Sequence, residues 1–339
     1  MKKNYQIILL GYSQPGHTNY FPWLRWYEVY KYHGYDCVWC EVNNIPNNNK
    51  KKIFITWNRP TSKELVDMNI YKKGDIILQK LTSLSKYDTN VDWKPGFNNT
   101  LNFFKTWKWT LYKMVENLLD KDINIYAFGA KTQSNDFPEK NRIVKKLESL
   151  NRLFWIPFGS SLYNYDEIQN MKPIMNNFKN DIGFVGSKWG NTGRGNIYSW
   201  NKYLQPLLNN NKNVEVKGGI GRYINDKQHK LILKNSKLCP IVNATTWEVE
   251  KGVQDRFWTV FTSGRFGVVD SLGIYDFFNE DEVVCAIDKD DYYEKSMYYL
   301  KNIDKQLPYI EKIQKRIKNE YNYYITWKNI IEKIIYING

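Results

Sequence analysis

Short apolar runs alternate with longer amphipathic stretches along the whole chain. YQIILL at 5–10 is a continuous apolar run that ends at Gly11. A polar loop, SQPGHTNYFP, follows, and then WLRWYEVYKYH, whose apolar residues share one helical face up to a stop at Gly34. YDCVWCEV comes next. Strand, loop, helix, glycine stop and strand is how a parallel βαβ unit opens. Further strands are predicted at KIFIT (52–56), DIILQKL (75–81), INIYAFG (123–129) and RLFWIPFG (152–159). Helices are predicted over 100–119, with Trp107, Leu111, Met114, Val115 and Leu118 on one face, and over 140–150. Around 163–179 the pattern lapses into polar, Asn-rich sequence, which reads as a crossover between domains. The alternation then restarts, with strands at 181–187, 213–219, 237–242, 266–271 and 282–287. Helices are predicted between them at 198–208, 226–234 and 253–263, with a helical tail from Tyr292. This order predicts an α/β protein with parallel sheets. The expected division is a Rossmann-like domain over 1–165, a second over 178–320, and a C-terminal helix over 321–339 that packs back on the body, with a cleft between the domains.

Composition narrows the class. A chain of 339 residues, 42% hydrophobic and 16% aromatic, has material for two packed cores and is not a disordered chain. No run approaches the roughly 20 apolar residues of a membrane helix, and mean hydropathy is −0.62. The two lysines before the first apolar run lack a small-residue cleavage site downstream, so that run reads as a strand and not as a leader. Four cysteines make no disulfide framework, and a reducing, cytoplasmic setting is expected. The net charge of +14 admits two readings: a polyanionic partner, or drift toward Asn, Lys, Ile and Tyr with lysines scattered along the chain.

Ligands of open α/β sheets bind beyond the carboxyl ends of strands, where helix N-termini supply free N–H groups. Four loops of this kind carry candidate chemistry. Ser13 to Asn19 follows the first strand; Gly16 allows close backbone approach there, and His17 has the titration range to take a proton from an acceptor hydroxyl. Gly186, Ser187 and Lys188 close the first strand of the second half, with Arg194 soon after, a grouping suited to a diphosphate. Gly219 and Arg222 lie in a Gly-rich turn with room for a base or ribose. Arg256 opens a helix, where the macrodipole disfavours a cation unless an anion offsets it. The bland alternatives are a His capping its own helix, a flexible turn, and a surface Arg paired with Asp255 or Glu250. His33 and His229 sit in Lys-rich helical surroundings and read as solvated. Cys37 and Cys40 have no second pair at metal-ligand spacing and read as buried thiols, and Asp288-Lys289-Asp290 reads as a solvated helix start; no metal site is expected.

These residues together resemble a known family. The second half is similar to the C-terminal domain of GT-B glycosyltransferases, and within them to CgeB-like proteins and phage DNA β-glucosyltransferase. The resemblance is carried by FVGS with Arg194, GGIGR, and DRFWTVFTSGRFGVVDS followed by YDFF. It implies a GT-B fold and a nucleotide-sugar donor, UDP-sugar favoured and GDP-sugar admitted, with no permanently bound cofactor. In the family pattern an Arg that binds the donor diphosphate is followed after two residues by a Glu that grips the ribose. Those positions fall on Arg256 and Thr259, and a threonine supplies no carboxylate. QPGHTNYFPWL resembles the opening of GT-B enzymes in which a histidine is the base of an inverting reaction, which implies that role for His17, with Asp136 the nearest partner.

The function expected from the sequence is a metal-independent, inverting glycosyltransferase with a glycan or glycoconjugate acceptor. A DNA-base glycosyltransferase is the enzymatic alternative, since the charge permits a DNA partner. A non-catalytic glycan- or nucleic-acid-binding module is the alternative that the Thr259 departure sustains.

Overall fold

The structure is a computed structural model and describes residues 4–11, 20–57, 61–81, 111–129, 138–155, 159–160, 162–186, 188, 190–191, 194–218, 224–242 and 253–339. The chain divides into two compact units, Met1–Ile156 with Tyr323–Gly339, and Pro157–Asn322.

The first unit is built on strands β1 (Tyr5–Leu10), β2 (Cys37–Trp39), β3 (Lys51–Thr56), β4 (Ile76–Lys80), β5 (Ile125–Gly129) and β6 (Leu153–Trp155). They form one sheet in the order β2-β1-β3-β4-β5-β6, every pair parallel. Strands covered on both faces need apolar side chains at successive positions, which is why they read as unbroken runs of Ile, Leu and Phe. Helices α1 (Tyr20–Tyr32), α2 (Thr61–Asp67), α3 (111–120) and α4 (Pro138–Ser149) connect them. Leu65 of α2, Leu111 and Val115 of α3, and Ile143 and Leu147 of α4 join Ile8, Phe54, Ile77 and Ile125 in one core. Trp26 of α1 packs on Phe128 with ring centroids 5.7 Å apart, so α1 covers the other face.

In the second unit, α5 (Tyr165–Gln169) precedes β7 (Asn180–Val185). After β7 come a two-residue hairpin, β8 (Gly190–Asn191) and β9 (Arg194–Gly195), and a helical stretch α6 over 197–209 with a π-helical centre, Trp200–Leu204. Strand β10 (Val214–Lys217), α7 (Asp226–Lys234), β11 (Ser236–Leu238) and α8 (Asp255–Thr262) follow. The sheet order is β10-β7-β11, parallel, continued by single parallel bridges from Ile241 to Val269 and from Val269 to Cys285. The strands predicted at 266–271 and 282–287 are thus reduced to one bridging residue each. Helices α9 (Lys289–Lys301), α10 (Leu307–Asn319) and α11 (Tyr323–Asn338) end the chain. Helix α11 belongs to the first unit, where Trp327 meets Trp26 at 4.4 Å and Phe128 at 4.9 Å. None of the described helices is long and apolar enough to cross a membrane.

Candidate functional site

In the second unit β7 has β10 on one side and β11 on the other, so the strand order reverses beside β7, the position at which open α/β sheets bind their ligands. Arg256, in the first turn of α8, reaches this edge. Its Nη1 donates to the Val185 carbonyl at 2.5 Å, and the guanidinium lies over the Phe184 ring at 4.0 Å. The last two residues of β7 therefore fix the plane and direction of the fork. Gly186 makes this approach possible, because a Cβ there would lie 2.7 Å from Arg256 Nη2. Gly218, at φ +98°, turns the chain out of β10 and backs onto Gly186, whose N–H donates to the Lys217 carbonyl at 2.8 Å.

The electrostatics of the fork suit an anionic ligand. Burial lowers the guanidinium from its usual range to about 10, outweighing the attraction of Asp270, Tyr292 and Asp255. Its Nε is buried and makes no hydrogen bond. Among the described residues no carboxylate lies at ion-pair distance from Arg256. A half-buried cation held by a carbonyl and a ring has been desolvated without being neutralised. An anion at the tip of β7 offsets that cost.

Lys188 is exposed two residues beyond Gly186. Arg194 lies on the second strand of the hairpin, paired with Asn191; only its backbone belongs to the description. Gly16, His17, Asp136, Ser187, Gly219 and Arg222 lie outside the described residues. Thr259 is buried, and its hydroxyl is 2.8 Å from the Ser160 hydroxyl.

Two expectations change. His229, on the first turns of α7, is half-buried, not solvated; burial first, then the charges of Arg256 and Lys230, lower its imidazole to about 4. It is a neutral imidazole near the Arg256 charge, and sequence gave it no distinguishing signal because Arg256 is remote in the chain. His33 is half-buried too, its Nε2 2.9 Å from the Tyr324 carbonyl oxygen. Burial raises the Cys37 thiol strongly and brings Cys40 up to about 11, which leaves both as inert thiols. Asp288 caps α9 by accepting from the backbone N–H groups of Asp290 and Asp291. Among the described residues no group of three or more His, Cys, Asp or Glu is placed to hold a metal ion.

Comparison with known proteins agrees with this architecture. Residues 172–332 match the family described as glycosyl transferase-like. No curated protein matches the chain. Sucrose-phosphate synthase from Thermosynechococcus elongatus has a similar structure, with TM-score 0.57 at 10% identity over 98% of this chain and 100% of that one. T4 phage BGT, solved with UDP and Mn2+, has TM-score 0.53 at 11% identity over 98% and 99%. An alpha-glucosyltransferase solved with UDP and a 13-mer DNA containing an HMU base has TM-score 0.51 at 8% identity, again over 98% and 99%. The fold is thus that of GT-B structures, with parallel α/β sheets in both units. The second unit carries most of the glycosyl transferase-like match.

Proposed function

We propose that the chain transfers a sugar from a nucleotide-sugar, UDP-sugar favoured, to a hydroxyl acceptor on a glycan or glycoconjugate. One observation carries the reading: the Arg256 guanidinium is desolvated, un-neutralised and fixed at the tip of β7 against Gly186. A nucleoside diphosphate gains negative charge as the glycosidic bond breaks, and a preorganised cation in a dry setting stabilises that change most. The diphosphate lies over Gly186, with Ser187, Lys188 and Arg194 contributing donors on its open side, while Gly219 and Arg222 border the ribose and base. On the acceptor side His17 takes the hydroxyl proton in an inverting displacement. The fixed cations take the part that a divalent ion plays in other sugar transferases, so chelation with EDTA leaves turnover unchanged.

Transfer to a DNA base is a second reading, favoured by the net charge of +14 and by structural neighbours solved with UDP and DNA. A DNA acceptor gives binding that falls steeply with salt, in proportion to the number of phosphates neutralised; a glycan acceptor does not.

The donor reading is tested by thermal shift with UDP, GDP, dTDP and CDP. A nucleotide at about 100 times its dissociation constant adds roughly 2.7 kcal/mol of stability. The expected outcome is a shift with UDP that Arg256→Ala abolishes. A wild-type chain that responds to none of the four overturns the donor reading.

A further inference from the structure

Arg256 shares its end of the sheet with a histidine. Helix α7 joins the end of β10 to the start of β11, and α8 leads from β11 on toward the bridging residue Val269. In the order β10-β7-β11 both connections run the same way across the sheet, so right-handed crossovers put α7 and α8 on one face, with α7 passing over β7. The packing agrees. Ser236 Oγ donates to the Ile232 carbonyl at 2.7 Å, and a Cβ on Gly183, midway along β7, would lie 3.1 Å from that carbonyl. His229 precedes Ile232 by three residues, about 4.5 Å back along the helix toward the carboxyl ends of the strands. A strand rises about 3.3 Å per residue, so His229 is level with Phe184 and Val185, the two residues that hold the Arg256 fork.

The side chain lies on the right face of a fixed turn. Ile232 and Leu233, three and four residues after His229, are both buried, and that spacing puts the histidine on the same side of the helix. A capping box holds the first turn of α7: Asn225 Oδ1 accepts the Gln228 N–H at 2.8 Å, and Gln228 Oε1 accepts the Asn225 N–H at 3.3 Å. The His229 ring is half-buried and forms no hydrogen bond among the described residues. Neither ring nitrogen is among the buried polar atoms left without a partner, which include Arg256 Nε, so the unbonded nitrogens stay open to a ligand. The charges acting on the ring are Arg256 of α8 and Lys230 of its own helix. Lys230 is paired with Glu167 of α5 and lies over the Tyr163 ring at 4.6 Å. The charged side chain of β7, Asp181, is at the opposite end of that strand and paired with Lys237 of β11 at 2.8 Å.

We propose that His229 is a second contact for the donor diphosphate, beside Arg256 at the tip of β7, and that it binds as the imidazolium, so that the donor enters together with a proton. This rests on the donor reading and adds a residue and a proton to it. Without ligand the ring is neutral, because burial and then the Arg256 and Lys230 charges lower it to about 4. A diphosphate held by the guanidinium reverses both causes: it offsets the neighbouring cation, and it accepts a bond from the desolvated N–H. The imidazole takes one proton from solvent as the donor binds and returns it when the nucleoside diphosphate leaves. The nucleoside alone carries no charge to drive that uptake, so His229 favours ligands that bring the diphosphate.

UDP-glucose is the probe, because its diphosphate is esterified at both ends and has no proton of its own to exchange over the range used. Its binding to the full chain is measured by calorimetry at about pH 7.5 and about pH 5.5, each in two buffers of different ionisation enthalpy, which counts the protons taken up. With the bound ring back at its ordinary value of about 6.5, the dissociation constant falls roughly tenfold between the two conditions, and most of one proton is taken up at the lower. His229→Gln, checked for folding by its urea midpoint, is expected to bind at the higher pH and to lose both the acid gain and the uptake. Affinity that ignores pH in the wild type, or an acid gain that persists in His229→Gln, overturns the proposal and leaves the donor reading standing. Should the glutamine variant not fold, His229→Asn takes its place, and zero proton uptake by the wild type overturns the proposal without either. A chain that binds no UDP-glucose at either pH overturns the donor reading itself.

Discussion

Arg256 and Gly186 act as a pair, and a substitution of either should separate binding from folding. A Cβ at 186 meets the free end of the guanidinium, 2.7 Å from Nη2, and an arginine side chain swings away more cheaply than backbone does. Gly186→Ala is therefore expected to leave urea unfolding nearly unchanged while it weakens UDP. Displacement of one charge-assisted contact costs about 1.5–3 kcal/mol, or roughly 10- to 150-fold in dissociation constant; equal affinity by calorimetry would show that the fork does not touch the donor. His229 gives a prediction of different sign. Its imidazole protonates near 6.5 when unfolded and only at about 4 when folded, because burial and then Arg256 and Lys230 disfavour the cation. Between those values the unfolded chain binds the extra proton, so stability falls as pH drops from 6.5 toward 4, and above 6.5 there is no contribution. His229→Gln should flatten that part of the stability profile, read as urea midpoints at several pH values.

At the scale of elements, α8 is held by hydroxyl pairs along its length. Thr259 meets Ser160 at 2.8 Å, and one turn later Ser263 meets the Tyr163 hydroxyl at 2.6 Å, so residues just after the division between units are fastened to the helix that carries Arg256. Thr259→Val keeps the shape and removes the side-chain partner of the Ser160 hydroxyl, which still accepts the Leu162 N–H at 3.3 Å, for an expected loss of about 1 kcal/mol. Ser160→Ala also removes the acceptor of the Leu162 N–H, so a double-mutant cycle is what isolates the coupling of the two hydroxyls. A cycle with no coupling energy would mean the pair is fortuitous. Thr259 also shows where sequence reading stops. Its place three residues after Arg256 was legible as a departure from a family pattern, but its partner lies 99 residues away and no periodicity reports that. Strands of the first unit were legible because both faces are buried and the runs are unbroken. Helix α2 and the β8–β9 hairpin were not, because TSKELVD is short with one buried apolar anchor, Leu65, and a two-residue strand has no period.

Across the whole molecule the chain crosses from the first unit to the second and returns for its last helix. That return matters for stability, because α11 supplies a wall of the first unit's core. Trp327 is fully buried and closes a cluster with Trp26 and Phe128, at 4.4 and 4.9 Å. Truncation of a buried aromatic to alanine costs about 3–5 kcal/mol, a large part of the roughly 5–15 kcal/mol that holds a domain together. The loss at Trp327 should fall on one unit alone, since its ring neighbours Trp26 and Phe128, like α11 itself, belong to the first unit. Trp327→Ala is expected to lower the unfolding transition of the first unit and leave the second in place, still able to gain stability from UDP. Hydrogen exchange reads this directly, with protection falling over β1, β3, β4 and β5 and holding over β7, β11 and α8. If protection falls equally in both, the units unfold as one, and ligand binding at the tip of β7 must then stabilise the sheet of the first unit as much as its own.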